Sequence, residues 1–124
     1  MTIRIPTYNR GRLIAERSIR SALEQTYRNI EVLVVGDCAT EETVEAVRQV
    51  QDPRLRFVNL PERGTYPDDP ELRWMVAGAP AVNRALELAR GAWIAPLDDD
   101  DEFTPDHVEL LLNVALYALL ISFL

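Results

Sequence analysis

The sequence predicts an α/β fold, a mostly parallel sheet with helices on its flanks. Three observations predict it. Apolar segments of strand length alternate with segments of helical periodicity along most of the chain. One of them, Ile30-Glu31-Val32-Leu33-Val34-Val35, is nearly all apolar, the pattern of a strand covered on both faces. Three strand segments also run directly into polar loops, at residues 7–11, 36–40 and 98–102. A parallel sheet gathers such loops along one edge, where open α/β sheets bind their ligands.

In order, Thr2-Ile3-Arg4-Ile5 alternates and is rich in β-branched residues, so it reads as a short strand. Turn residues from Pro6 to Gly11 end it. Residues 12–26 read as a helix, with Ala15, Ile19, Ala22, Leu23 and Thr26 on one side and Arg12, Glu16, Arg20 and Glu24 on the other. The strand at 30–35 follows. Thr40 is placed to cap the next helix, and Glu41 and Glu42 fall in its first turn, where the helix dipole favours them. Val44, Val47 and Val50 form its buried side, and Asp52-Pro53 stops it. A third strand covers 55–59.

Residues 60–80 hold four prolines, Gly64 and Gly78, and read as a long loop. Pro80 opens a helix running to about Arg90, with Val82, Leu86 and Ala89 inward and Gly91 at its C-terminal end. Trp93 to Leu97 is the fourth strand. Thr104-Pro105 opens a last helix through about Ser122. There is no internal repeat and no linker, so the 124 residues are expected to form one domain.

Net charge is −7, and all 13 basic residues are arginine. That balance argues against a nucleic-acid surface, which needs clustered basic residues. Cys38 is the one cysteine, so no internal disulfide forms and a reducing cytoplasm is the expected setting. The first residues are too polar for a signal peptide. Residues 110–124 are apolar apart from Asn113 and Ser122. That is short for a membrane span and suits a buried helix. Without a C-terminal cap or polar tail, the chain reads as the front part of something longer. The tail would then be available for self-association or for peripheral membrane contact.

The fourth strand delivers five consecutive acidic residues, Asp98-Asp99-Asp100-Asp101-Glu102. Like charges this close raise one another's cost of ionisation unless a cation or solvent relieves them. One reading is a solvated acidic loop. The other is a divalent-metal site for a phosphorylated ligand, since Mg²⁺ and Mn²⁺ take carboxylate and phosphate oxygens together. Convergence of three polar loops at strand ends favours the second.

Four motifs now stand in order: Ile5-Pro6-Thr7-Tyr8-Asn9-Arg10, then Gln25-Thr26-Tyr27-Arg28-Asn29-Ile30-Glu31, then Val34-Val35-Gly36-Asp37-Cys38-Ala39-Thr40, and residues 89–101 leading into the acidic run. Together they resemble the family 2 glycosyltransferases, from residue 2 to about 112. The resemblance implies a Rossmann-like nucleotide-diphospho-sugar transferase fold of the GT-A type, C-terminally truncated. It implies a nucleotide-sugar donor, UDP-sugar foremost, and Mn²⁺ or Mg²⁺ as cofactor. The acceptor, whether saccharide, lipid or protein, is left open. It places Pro6, Thr7 and Tyr8 at the nucleobase, Tyr8 by stacking, and Asp37 on the base edge. In the D-x-D motif it makes Asp100 the metal ligand and sets Asp98 or Asp99 against the ribose or a metal-bound water. Asp99 and Asp101 share that spacing, so the register stays open. Asp37 is also a natural turn residue, and Tyr8 a natural strand-end aromatic. Arg63 and Arg73, in the long loop, are within conceivable reach of a phosphate.

The chain departs from the family pattern at Gly36, where the first loop aspartate is missing, and at Cys38 and Ala39, which replace Gly and Ser. Cys38 is expected to be a small buried hydrophobe, and His107 a surface residue of the last helix. No residue is a candidate for the base that would deprotonate an acceptor hydroxyl. The expected function is therefore the donor-binding half of a metal-dependent glycosyltransferase. The alternative is a non-catalytic α/β binding or regulatory module derived from one.

Overall fold

The computed structural model describes residues 1–124. Its centre is β1 (Thr2–Thr7), whose side chains divide between two faces. Ile3 and Ile5 are fully buried on one face, and with Val32 and Val34 of β2 (Glu31–Gly36) they seed the larger core. Leu33 and Val35 point the other way into a smaller one. This is why 30–35 is apolar at almost every position: both of its faces are covered.

All strands are parallel, in the order β3-β2-β1-β4, with β3 at Leu55–Asn59 and β4 at Ile94–Pro96. The larger core takes Ile14 and Ile19 from helix α1 (Ile14–Ile19 continued by Arg20–Leu23), Val47 from α2 (Glu41–Arg48), and Val108 and Leu112 from α5 (His107–Ser122). Helix α4 (Ala79–Leu88) covers the opposite face through Ala81 and Ala85. The chain runs β1-β2-β3 in one direction, then crosses to lay β4 on the far side of β1. Strand order reverses between β1 and β4, and that is where such sheets open a crevice.

Several local expectations are corrected. Helix α1 is not a uniform α-helix over 12–26. It is a π-helical stretch, Ile14–Ile19, followed by one α-helical turn, Arg20–Leu23. The wider π-turn aligns residues five apart, so Ile14 and Ile19 share the buried side with Ser18. Thr40 occupies the cap position of α2, but its hydroxyl pairs with the Thr43 hydroxyl at 2.9 Å instead of capping an N–H. Thr43, Ala46 and Val47 are the buried residues of α2, while Val44 and Val50 are half-buried. Gly91 lies beyond the end of α4. Its backbone presses against Thr2, donating to Thr2 Oγ1 at 2.8 Å, and any Cβ there would collide with the β1 backbone.

The long loop contains a helix that the sequence reading missed, α3 (Pro70–Met75). Its signal was local: Asp69 caps it, accepting from Leu72 N at 2.9 Å, and Pro70 sits at its start. It buries no residue, so it leaves no hydrophobic periodicity to read. The fourth strand is shorter than expected, although Thr2 N donates to Trp93 O at 2.8 Å and Leu97 N to Arg4 O at 3.0 Å just outside it.

Helix α5 is anchored by Val108 and Leu112, but Leu110, Leu111, Val114, Leu116, Tyr117 and Leu120 are exposed. It is apolar on nearly every side, and no helix is long and apolar enough to cross a membrane. His107 is half-buried, not a free surface residue, and its ring stacks on Phe103 at 4.0 Å.

Candidate functional site

The loops after β1, β2 and β4 enclose a cleft of about 430 Å³ at the carboxyl edge of the sheet. All seven residues singled out from sequence line it: Pro6, Thr7, Tyr8, Asp37, Asp98, Asp99 and Asp100. Asp101 and Glu102 do not. The cleft also takes in Asn9, Arg10, Arg63 and Trp74. Arg73 stays outside, donating to Pro67 O at 3.1 Å.

The β4 side is acidic and ordered. Thr7, nearly buried at the end of β1, donates from Oγ1 to Asp99 Oδ2 at 2.7 Å. Arg10 donates from Nε to Asp99 Oδ1 at 2.8 Å and from Nη2 to Asp100 Oδ2 at 3.0 Å. One guanidinium thus bridges two neighbouring carboxylates. Its own pKa is raised, first by the Asp99 hydrogen bond and charge. The Asp98 carboxylate has no side-chain partner and is exposed. Behind the run, Ser18 Oγ donates to Asp101 O at 2.7 Å, and Phe103 N donates to Ser21 Oγ at 3.0 Å. Helix α1 therefore holds the acidic loop from beneath, through Ser18 of its π-helical stretch and Ser21 of its α-helical turn.

The β2 side is built around Asp37, which is buried. Its carboxylate accepts from Arg63 Nη1 at 2.7 Å, from Gly64 N at 2.8 Å and from the Tyr66 hydroxyl. Burial, with the hydrogen bond to Asp37, pushes the Tyr66 phenol up, so it remains a donor over the ordinary pH range. The Arg63 guanidinium also lies over the Tyr8 ring, 3.5 Å from its centroid. Tyr8 and Asp37 are therefore joined through one arginine from the loop after β3. Any ligand group reaching Asp37 has to share or displace these donors.

Cys38 is half-buried instead of buried, and it is the one non-glycine residue with positive φ, +51°. That left-handed conformation costs an L-residue about 1–2 kcal/mol. Cys38→Gly removes the strain but loosens the unfolded chain, which offsets part of the gain. We expect a net rise of about 0.5 kcal/mol, read as a higher urea midpoint at unchanged slope. Gly36 is needed for a different reason: a Cβ there would strike the Asn59 side chain, whose Oδ1 accepts from Ala39 N at 2.8 Å.

A divalent ion was expected on Asp100. No group of three carboxylate, imidazole or thiolate side chains converges here. Magnesium-type ions, however, are commonly held by only one or two protein carboxylates. Asp99 and Asp100 both pair with the Arg10 guanidinium, so the two carboxylates converge on one cationic group. The donor set fits.

The fold and cleft define a parallel α/β protein with a candidate ligand cleft at the topological switch point. The chain belongs to glycosyl transferase family 2, whose model matches residues 2–67 and 72–117. It is 37% identical over 115 residues to WcaA of Escherichia coli (strain K12), named as a colanic acid biosynthesis glycosyl transferase, covering 90% of this chain and 36% of WcaA. Among solved structures it resembles S. aureus TarS (residues 1–349) in complex with UDP-GlcNAc, with a TM-score of 0.68 and 27% identity, covering 94% of this chain and 30% of that one. It also resembles the mannosyltransferase PcManGT of Pyrobaculum calidifontis in complex with GDP-Man and Mn²⁺, with a TM-score of 0.67 and 31% identity, covering 88% and 29%. The chain thus spans about a third of the length of these relatives, and its fold is that of the GT-A transferases.

Proposed function

We propose that the chain is the donor-binding part of a metal-dependent glycosyltransferase that uses a nucleotide-diphospho-sugar, of the UDP class foremost. The observation that carries this reading is the convergence of Asp99 and Asp100 on one cation, in the cleft that Tyr8 and Asp37 also line. The nucleotide-sugar complexes of TarS and PcManGT support the donor class, and the Mn²⁺ of the latter supports the metal.

In this reading Asp100 is the metal ligand and Asp99 stands beside it, oriented by Thr7. Asp98, without a side-chain partner, is available to the ribose. Pro6, Thr7 and Tyr8 form the wall for the base, and Asp37 takes its edge once Arg63 shifts. A bound Mn²⁺ or Mg²⁺ would offset the charge of the departing diphosphate. The chain's own part is to orient the donor and shield its charge. No residue is assigned as catalytic base.

Calorimetric titration with UDP tests the reading. Binding is expected with Mn²⁺ present and at least about tenfold weaker without it. Asp100→Ala is expected to remove most of that metal dependence, because it takes away the carboxylate assigned to the ion and leaves Asp99, whose Oδ2 is already engaged by Thr7. Metal-dependent binding that survives Asp100→Ala would refute the metal assignment. The exposed apolar surface of α5 further supports self-association or peripheral contact with a membrane. Light scattering with and without liposomes distinguishes the two.

A further inference from the structure

Arg10 has the feature that the proposed site does not explain. Both oxygens of Asp99 are engaged, Oδ2 by Thr7 and Oδ1 by Arg10, and Arg10 also holds Asp100 Oδ2. A cation shared by these two carboxylates has to stand where the guanidinium now stands. Two positive charges do not occupy one centre, so Arg10 and the metal exclude each other there. The two partners of Asp99 also differ in freedom. Thr7 is nearly buried in β1, whereas the Arg10 side chain is 42% exposed. It lies on the turn before Gly11, whose φ is +59°.

We propose that Arg10 is an exchangeable counter-cation: it clamps Asp99 and Asp100 while no metal is bound, yields them to the metal, and then pairs with the donor diphosphate. The inference rests on the nucleotide-sugar reading above. Its chemistry is that of the guanidinium, whose planar fork matches carboxylate and phosphate equally well. The clamp spares the free site the repulsion of its crowded carboxylates. Thr7 stays on Asp99 throughout and keeps it oriented. Arg10 is thus a positioning residue for the acidic pair in the free state and a phosphate ligand in the loaded one. Removing Arg10 from the site should therefore tighten metal binding instead of weakening it.

The test measures Mn²⁺ binding by electron paramagnetic resonance, without nucleotide, for the parent chain, Arg10→Gln and Asp100→Asn. Binding of UDP and of uridine, each in saturating Mn²⁺, is then measured by calorimetry. Arg10→Gln is expected to bind Mn²⁺ alone more tightly, by about three- to tenfold, the range set by releasing partly exposed ion pairs. It should bind UDP more weakly by a similar factor, with uridine unchanged because uridine has no phosphate. Arg10→Lys keeps the charge but not the fork, and is expected to shift both affinities the same way by less. It serves if loss of the charge unfolds the chain.

Mn²⁺ affinity that stays equal or falls in both Arg10 variants would overturn the exchange, and so would unchanged UDP affinity. In either case loss of Mn²⁺ binding in Asp100→Asn leaves the donor-site reading standing. If Asp100→Asn binds Mn²⁺ as the parent does, that reading fails, and the exchange fails with it.

Discussion

Replacing Gln25 with leucine is expected to lower stability by about 3 kcal/mol, the cost of orphaning buried backbone groups. Gln25 is fully buried. Its amide nitrogen donates to Ser21 O at 3.1 Å and Thr104 O at 2.7 Å, and its Oε1 accepts from Val108 N at 2.9 Å. It thereby ends α1 and satisfies an N–H in the first turn of α5. Leucine matches the volume but makes none of these bonds, and water does not reach Val108 N. Thr26 still joins the two segments, donating from N to Pro105 O at 2.8 Å and from Oγ1 to Glu109 Oε2 at 2.8 Å, but neither bond satisfies Val108 N. Urea denaturation measures the loss. Because the residues joined to Gln25 follow the acidic run directly, Mn²⁺ affinity should fall as well. Unchanged stability would mean that the network repacks around leucine.

The second large effect is expected at Asp37. Asp37→Ala strands three donors, those of Arg63, Gly64 and Tyr66. The Arg63 side chain is 43% exposed and regains water, so its share is small. Gly64 N and the Tyr66 hydroxyl carry most of the cost. We expect a loss of about 2 kcal/mol and faster proteolysis within residues 60–66. Tyr66 adds a pH signature. Its pKa is raised in the folded state, so it stabilises the fold below its ordinary value near 10.0. That stability is lost as pH rises through the raised value. Tyr66→Phe and Asp37→Ala should both flatten this alkaline decline. A decline as steep as in the parent would show that another group sets it.

Much of the site was legible because its residues stand where strands stop. Tyr8, Asp37 and Asp100 follow apolar segments whose direction a parallel sheet dictates, so their meeting in one cleft follows from the strand order. The arginines were less legible. Arg63 stood out only as a loop cation with some reach for a phosphate, and Arg10 as one letter of a motif. Neither position carries a pattern, because a guanidinium finds its partner by distance in space: Arg10 reaches carboxylates 89 and 90 residues away. Gln25 falls in a corner motif, and its role is not legible there, since a buried amide reads like any polar residue until its three partners are seen. Helix α3 escaped because it packs on nothing, although Asp69-Pro70 marked its start.

By itself the sequence determined the alternation of strands and helices, the two-faced burial of β2 and the acidic run at the end of β4. Each is written in local periodicity and composition, and short-range sterics and hydrophobicity suffice to express it. Only the tertiary structure decided the widening of α1 into a π-turn beneath the acidic loop, the closure of the 60–66 loop over Asp37, and the clamping of Asp99 and Asp100 by Arg10. Those depend on charges and hydrogen-bonding groups distant in sequence, whose energies exist only once β1, β2 and β4 have brought them within a few ångströms.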